Sequence, residues 1–233
     1  MKCGLLGRKL GHSYSPQIHG KLGDYPYALF EKEPEEVADF VKNGDFTGIN
    51  VTIPYKESII PYLDDLSDVA REVGAVNCVE VRNGKLIGHN TDVTGIEASL
   101  HWLEADEGCK ALVLGTGGAS KAVQHVLRKR GVEFKVVSRD KSRGDVTYSE
   151  LTADIIREHK LIINTTPVGM YPNVNEAPAI DFEAIGSDHR IFDLIYNPAQ
   201  TELLRRAEER GAQTMGGILM LQTQAIASWH IWK

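Results

Sequence analysis

Ala111-Leu112-Val113-Leu114 is a short apolar run that opens directly into Gly115-Thr116-Gly117-Gly118-Ala119-Ser120. Beyond this loop Ala119, Ala122, Val123, Val126 and Leu127 recur at helical spacing as far as Gly131, and Glu133 to Ser138 read as a second strand. Strand, glycine loop, helix and strand within about thirty residues is the size of a dinucleotide-binding unit. The uninterrupted apolar run is what a parallel strand covered on both faces shows, so the pattern points to an α/β fold. Glycines let backbone N–H groups approach a pyrophosphate seated on the positive end of the helix. A tight turn without a ligand is the plainer reading, and the matching flanks favour the first. The sixth loop position is Ser120, with Ala119 before it, where the commonest fingerprint has Gly or Ala.

After the second strand, Ser138-Arg139-Asp140-Lys141-Ser142-Arg143 places two arginines where an NAD site usually carries an acid for the ribose hydroxyls. Arginines there suit a 2'-phosphate and hence NADP, whereas Asp140 pulls the other way. Leu161 to Pro167 reads as another buried strand ending in polar groups, followed by a long loop from Val168 to Pro178. Arg190 to Tyr196 is the next strand. Asn197-Pro198 is expected to cap a helix that stops at Gly211, and Ala212 to Met215 gives a last short strand. Gly217 to Trp232 closes the chain as an apolar helix, with Ile218, Leu221, Ala225, Trp229 and Trp232 expected on one face and Gln224 at its edge.

The first half alternates strands and short helices. Residues 2 to 7 form a strand, and the loop His12-Ser13-Tyr14-Ser15-Pro16 leads into a helix with Pro16 at its start. Ser15 reads as an N-cap, which leaves Ser13 unexplained. Two hydroxyls beside free helix N–H groups also make a carboxylate or phosphate seat, and the residues alone leave both readings open. Tyr27 to Lys32 is a strand and Pro34 to Asn43 a helix. Gly48 to Ile53 follows as a half-buried strand, with Ile49, Val51 and Ile53 alternating against Asn50 and Thr52. Glu57 to Leu63 is expected to be a short helix, which sets Lys56 against the positive end of its dipole. Lys56 therefore either points into water or is there for chemistry. Ser67 caps another helix, Asn83-Gly84 marks a tight hairpin, and Asn90-Thr91-Asp92 starts a helix on which Asp92 reads first as an ordinary first-turn acid.

A net charge of -6 without a basic stripe argues against a nucleic-acid partner, and no apolar run approaches a membrane span. Cys3, Cys78 and Cys109 are too scattered for a disulfide framework or a metal site, and the histidines lack zinc spacing, so no metal is expected. The N-terminus carries no signal-peptide pattern, which makes the cytoplasm the expected compartment.

The order and spacing of several stretches resemble the shikimate dehydrogenase family along nearly the whole chain. These are His12 to Pro16, Asn50 to Lys56, Gly74 to Asn77, Gly88 to Asp92, Gly115 to Ser120, Asn164 to Met170, Asp193 to Pro198 and Gly217 to Gln224. The resemblance implies a substrate domain from residues 1–98 and 217–233, and an inserted Rossmann-like NADP domain from 99–216. It implies reversible NADPH-dependent reduction of 3-dehydroshikimate to shikimate, in aromatic amino-acid (chorismate) biosynthesis, by a monomer or homodimer. Carried over by motif, Ser13 and Ser15 hold the substrate carboxylate with Tyr196 near it. Thr52, Lys56, Asn77, Asp92 and Gln224 surround the ring hydroxyls, with Lys56 and Asp92 the catalytic pair. Gly115, Thr116, Gly117, Gly118, Ala119 and Ser120 hold the pyrophosphate. Ser138, Arg139, Asp140 and Arg143 meet the adenosine end, and Leu194 and Gly217 the nicotinamide side. His89, Ser138 and Asp140 depart from the usual motifs. Through Asp140 enters the alternative of a quinate/shikimate dehydrogenase using NAD; a non-catalytic ligand-sensing relative is the third reading.

Overall fold

The computed structural model describes residues 1–11, 13–105 and 108–233, so His12 of the first motif lies outside the described residues. The chain folds into two compact units, Met1–Thr94 with Gln222–Lys233, and Gly95–Leu221. The seams fall inside two helices, α4 (Asp92–Trp102) and α8 (Ile218–Trp232), a few residues from the 98/99 and 216/217 positions read from the sequence.

The first unit holds a six-stranded mixed sheet. Its strands are β1 (Cys3–Gly7), β2 (Tyr27–Glu31), β3 (Gly48–Val51), β4 (Asp65–Leu66), β5 (Cys78–Arg82) and β6 (Lys85–His89), in the order β2-β1-β3-β5-β6-β4. β1 runs parallel to β2 and β3, whereas β3, β5 and β6 are antiparallel neighbours. Asn83 and Gly84 both take positive φ between β5 and β6, the conformation a two-residue hairpin turn demands. Three helices join the strands: α1 (Ser15–Leu22), α2 (Val37–Asn43) and α3 (Asp68–Val73). Ser67 caps α3 as expected, its hydroxyl accepting from the Ala70 N–H.

Several local expectations do not hold. Residues 57–63 form turns with a 3-10 segment only at Ile60–Tyr62, because Pro61 removes a donor and disfavours a helical residue before it. With no helix beginning at Lys56, the opposing dipole disappears. β3 is buried throughout, Asn50 included, and Ile53 lies outside it at 58% exposure. The N-cap of α1 is Tyr14 without a side-chain bond, and the Ser13 hydroxyl accepts from the Ser15 N–H, the reverse of the expected capping. The buried stripe of α8 is Met220, Gln224, Ala225 and Ser228, while Ile218 is exposed. Gly48 shows how closely α8 packs: a Cβ there would stand 2.5 Å from the Trp232 ring, and Trp232 Nε1 donates to the Val79 carbonyl at 3.0 Å.

The second unit is a wholly parallel sheet of β7 (Lys110–Leu114), β8 (Glu133–Ser138), β9 (Val146–Thr147), β10 (Leu161–Asn164), β11 (Arg190–Asp193) and β12 (Gln213–Met215). The spatial order β9-β8-β7-β10-β11-β12 is the doubly wound arrangement, whose switch point lies between β7 and β10. Leu112, Leu114, Ile162 and Ile191 fill its core beside residues of α7 (Glu202–Glu208), and α5 (Gly118–Lys129) and α6 (Ala153–Glu158) complete the crossovers. α7 begins at Glu202 under a Thr201 cap, not at Asn197-Pro198, because the Thr201 oxygen supplies the acceptor for the Leu204 N–H. Among the described residues no helix is long and apolar enough to cross a membrane.

Candidate functional site

In the first unit the turn after β3 places Lys56. Tyr55 N–H donates to the Thr52 carbonyl, Tyr55 is buried in the core, and the Val76 N–H donates to the Lys56 carbonyl at 2.7 Å. The lysine backbone is thus held from both sides. Its Nζ donates to Asp92 Oδ2 at 2.7 Å, with the two side chains 15% and 4% exposed. Asp92 is the first residue of α4, where the helix end favours its negative charge, so the plain reading of this acid holds.

Asn77 clamps the other carboxylate oxygen. Its Nδ2 donates to Asp92 Oδ1 at 3.0 Å, Thr91 Oγ1 at 2.9 Å and Gln224 Oε1 at 3.3 Å, and its Oδ1 accepts the Thr91 N–H at 2.6 Å. The Thr91 and Ser228 hydroxyls meet at 3.0 Å, and Ser228 Oγ donates to the Gln224 carbonyl. Asn50 Nδ2 reaches Ser228 Oγ at 2.8 Å, and Asn50 Oδ1 accepts from the Tyr27 hydroxyl at 2.8 Å. An amide does not take up and release protons near neutral pH, so the chain beyond Asp92 is a clamp and not a proton wire. Lys56 is the more exposed member of the pair.

The structure brings together four residues singled out in the sequence: Lys56, Asn77, Asp92 and Gln224. Asn50, Thr91 and Ser228 were given no role in it. The available signal was Gln224 and Ser228, polar residues one helical turn apart in an apolar helix. Ser13 and Ser15 are bonded to each other at 3.2 Å, Ser15 buried and Ser13 half-buried, and Thr52 is half-buried. Beside Asn90-Thr91-Asp92, His89 Nε2 lies 3.2 Å from Glu80 Oε2, and burial lowers the pKa of this histidine.

In the second unit β7 delivers the glycine loop at the switch point. Gly115 has φ +109 and lies so close to Thr165 Oγ1 that a Cβ would approach it to 2.7 Å, which excludes a side chain there. Gly117 is the N-cap of α5 with no side-chain cap, and a Cβ there would point into open space. Ser120 turns its hydroxyl back onto the Gly115 carbonyl at 2.7 Å and is fully buried, so it presents only its N–H to the loop. The first turn of a twelve-residue helix is thereby open to an anion. Arg143 Nη2 reaches the Thr116 carbonyl at 3.5 Å, and Ser138, Arg139 and Asp140 follow β8. Leu194, Tyr196 and Gly217 lie beyond β11 in this same unit. Gly217 is glycine for a steric reason, since a Cβ would stand 2.1 Å from the Leu194 carbonyl oxygen.

Residues 5–79 match the family model of the shikimate dehydrogenase substrate-binding domain. The shikimate dehydrogenase (NADP(+)) of Carboxydothermus hydrogenoformans is 36% identical over 258 residues, 98% of this chain and 90% of the relative. The chain belongs to the shikimate dehydrogenase family. A crystal structure of shikimate dehydrogenase 1 from Peptoclostridium difficile superposes with a TM-score of 0.88 at 39% identity, covering 99% of this chain and 90% of that one. The Thermus thermophilus shikimate 5-dehydrogenase in complex with NADP(H) and shikimate gives 0.90 at 30% identity, covering 100% and 93%. The family read from the sequence motifs is therefore borne out. Within this shikimate dehydrogenase chain, the stretch matched by the family model lies in the first unit and carries Ser13, Ser15, Thr52, Lys56 and Asn77.

Proposed function

We propose that the chain is an NADP-dependent shikimate dehydrogenase, an oxidoreductase that reversibly reduces the ring ketone of 3-dehydroshikimate to the secondary alcohol of shikimate. The observation that carries this reading is the buried 2.7 Å pair of Lys56 and Asp92, clamped by Asn77. The location would be the cytoplasm and the pathway aromatic amino-acid biosynthesis.

The residues present fit a dinucleotide. The uncapped N-terminus of α5, the open space at Gly117 and the absence of a Cβ at Gly115 suit a pyrophosphate, with the loop residues Gly115 to Ser120 holding it through backbone N–H groups. Ser138, Arg139, Asp140 and Arg143 would meet the adenosine end, and Leu194 and Gly217 the nicotinamide side. Bound there, the reduced nicotinamide supplies a hydride to the ketone carbon. The rest is done by the chain. Ser13 and Ser15 would bind the substrate carboxylate, and Thr52, Asn77 and Gln224 the ring hydroxyls. Lys56 directs an ammonium N–H at the carbonyl oxygen, where negative charge develops, and gives up one proton to it. Asp92 stabilises the ammonium form and fixes the direction of its donors, so that the lysine regains a proton from solvent in the same place. The ketone thus gains one hydride at carbon and one proton at oxygen. In the oxidising direction Lys56 accepts the alcohol proton.

The test mixes purified protein with shikimate or quinate, each with NADP or NAD, and follows the absorbance of reduced nicotinamide. Fastest turnover of shikimate with NADP is expected. No turnover in any combination, with shikimate still bound, would leave a ligand-sensing protein, a reading against which the paired Lys56 and Asp92 speak.

A further inference from the structure

Two strands of the second unit, β10 and β11, end in fully buried polar residues, Asn164 and Asp193. Asp193 is an acid in an otherwise apolar part of the sheet, and all of its partners donate to it: Asn164 Nδ2 to Oδ1 at 3.0 Å, the Ile195 N–H to Oδ1 at 3.1 Å and the Thr201 hydroxyl to Oδ2 at 2.7 Å. Asn164 passes the tie onward. Its Oδ1 accepts the Thr166 N–H at 3.0 Å and the Thr166 hydroxyl at 2.7 Å, and its carbonyl accepts the Leu194 N–H at 3.0 Å. Thr165 is stitched to β7, its N–H and its hydroxyl both donating to the Leu114 carbonyl, at 2.9 and 2.6 Å. The segments that leave β10 and β11 beside the glycine loop are thus held by one buried carboxyl group. Burying an acid costs stability relative to an apolar residue of similar volume, so its place at the switch point calls for a reason.

The reason lies in what a carboxylate does to an amide. An ionised aspartate only accepts, so it turns the NH2 of Asn164 toward itself and leaves the amide oxygen for Thr166. A neutral amide in its place faces Asn164 with either end, and in one of the two orientations Thr166 loses its acceptor. We infer that Asp193 is a positioning residue for the dinucleotide: through Asn164 it sets the Thr165-Thr166 segment and through Ile195 the segment after β11, which together wall the crevice on the side away from β8. In a doubly wound sheet the two halves of a dinucleotide lie on opposite sides of the switch point. Asp193 therefore acts on the nicotinamide half and leaves the adenosine half, which meets β7 and β8, unaffected. This rests on the dinucleotide-binding reading of the second unit.

The test compares binding of whole NADP with binding of its adenosine fragment, adenosine 2',5'-bisphosphate, by calorimetry on the full chain. Asp193→Asn keeps the shape and removes the acceptor-only character; it should weaken NADP about three- to tenfold, the size of a hydrogen bond lost at the wall, and leave the fragment near its wild-type affinity. Thr166→Val leaves Asp193 and Asn164 intact and removes only the hydroxyl at the end of the tie. It should shift the ratio of the two affinities in the same direction, and it carries the test where Asp193→Asn does not fold. Thr201→Val removes a bond to the other carboxylate oxygen, so it should lower stability while keeping the wild-type ratio. Equal weakening of NADP and the fragment in the Asp193 and Thr166 variants, or a wild-type ratio in both, overturns the inference alone. A wild-type chain that binds neither probe overturns the dinucleotide reading with it.

Discussion

Lys56 and Asp92, thirty-six residues apart in the chain, meet at 2.7 Å, and the second oxygen of the same carboxylate is held by Asn77. The carboxylate is 4% exposed and the lysine side chain 15%, so in the proposed mechanism the acid orients and the lysine exchanges. Lys56→Ala should lower kcat about a hundred- to ten-thousandfold, the range of a general acid-base term, while shikimate binding weakens only modestly. Lys56→Arg restores a cation beside Asp92 but not turnover, because a guanidinium does not release its proton near neutral pH. Stopped-flow turnover with calorimetric shikimate binding checks both. Full activity in the arginine variant would show that the lysine acts by charge alone.

The clamp behind the pair gives a second expectation. Ser228 Oγ is the shared partner of Asn50 and Thr91, and each of these keeps another bond when it is removed: Asn50 Nδ2 to the Asn77 carbonyl at 3.2 Å, and Thr91 Oγ1 to Asn77 Oδ1 at 3.2 Å. Ser228→Ala should therefore cost about 1 kcal/mol, near a single net hydrogen bond. Asn77→Ala orphans several buried groups at once and should cost about 2–4 kcal/mol and lower kcat as well. A double-mutant cycle on Asn50 and Ser228, read by denaturant unfolding, should return a coupling above about 0.5 kcal/mol. Additive losses would mean that the two do not act on each other.

The legible parts were those in which local chemistry and tertiary structure agree. The apolar run into Gly115, the Ser67 cap and the Asn83-Gly84 turn all stand where they were expected. The misreadings have physical reasons. Asn50 looks solvent-facing by alternation, but β3 lies between β1 and β5, and the polar face that alternation assigns to water is covered by Ser228 of α8. The stripe of α8 was drawn through its largest apolar residues, whereas the buried line follows Gln224 and Ser228, whose polar atoms are bonded inside. Glu57 to Leu63 has helical composition apart from Pro61, and that one residue decides. Side-chain partnerships at long range, such as Asn50 with Ser228, leave no periodic trace in a single sequence.

Arg139 offers a test of the cofactor end that does not depend on turnover. It is exposed beyond β8; burial raises the Tyr148 hydroxyl pKa, and the Arg139 charge opposes part of that rise. Arg139→Ala should weaken NADP about tenfold and leave NAD nearly unchanged, since the lost interaction is with a phosphate that NAD lacks. Equal weakening of both in a direct binding titration would mean that the arginine supports the fold of the turn.

Two buried titratable groups predict opposite pH responses in the two units. His19 is fully buried with Nδ1 2.6 Å from the Tyr25 hydroxyl, stacked on the Tyr27 ring at 4.0 Å, and burial lowers its pKa from 6.5 to about 4. A histidine kept neutral in this way contributes stability above pH 6.5 that is lost as the pH falls through 4. Asp193 is buried among Thr201, Ile195 and Asn164, and burial raises its pKa from 3.8 to about 6. A carboxyl raised in this way favours folding below pH 3.8, and that contribution is lost as the pH rises through 6. Each shift corresponds to about 3 kcal/mol at most. Between pH 6.5 and 4 the amides of β1 and β3 should therefore lose exchange protection while those of β10 and β11 gain it. His19→Gln should flatten the first response and Asp193→Asn the second. A slope in the second unit that survives Asp193→Asn would assign it to another group.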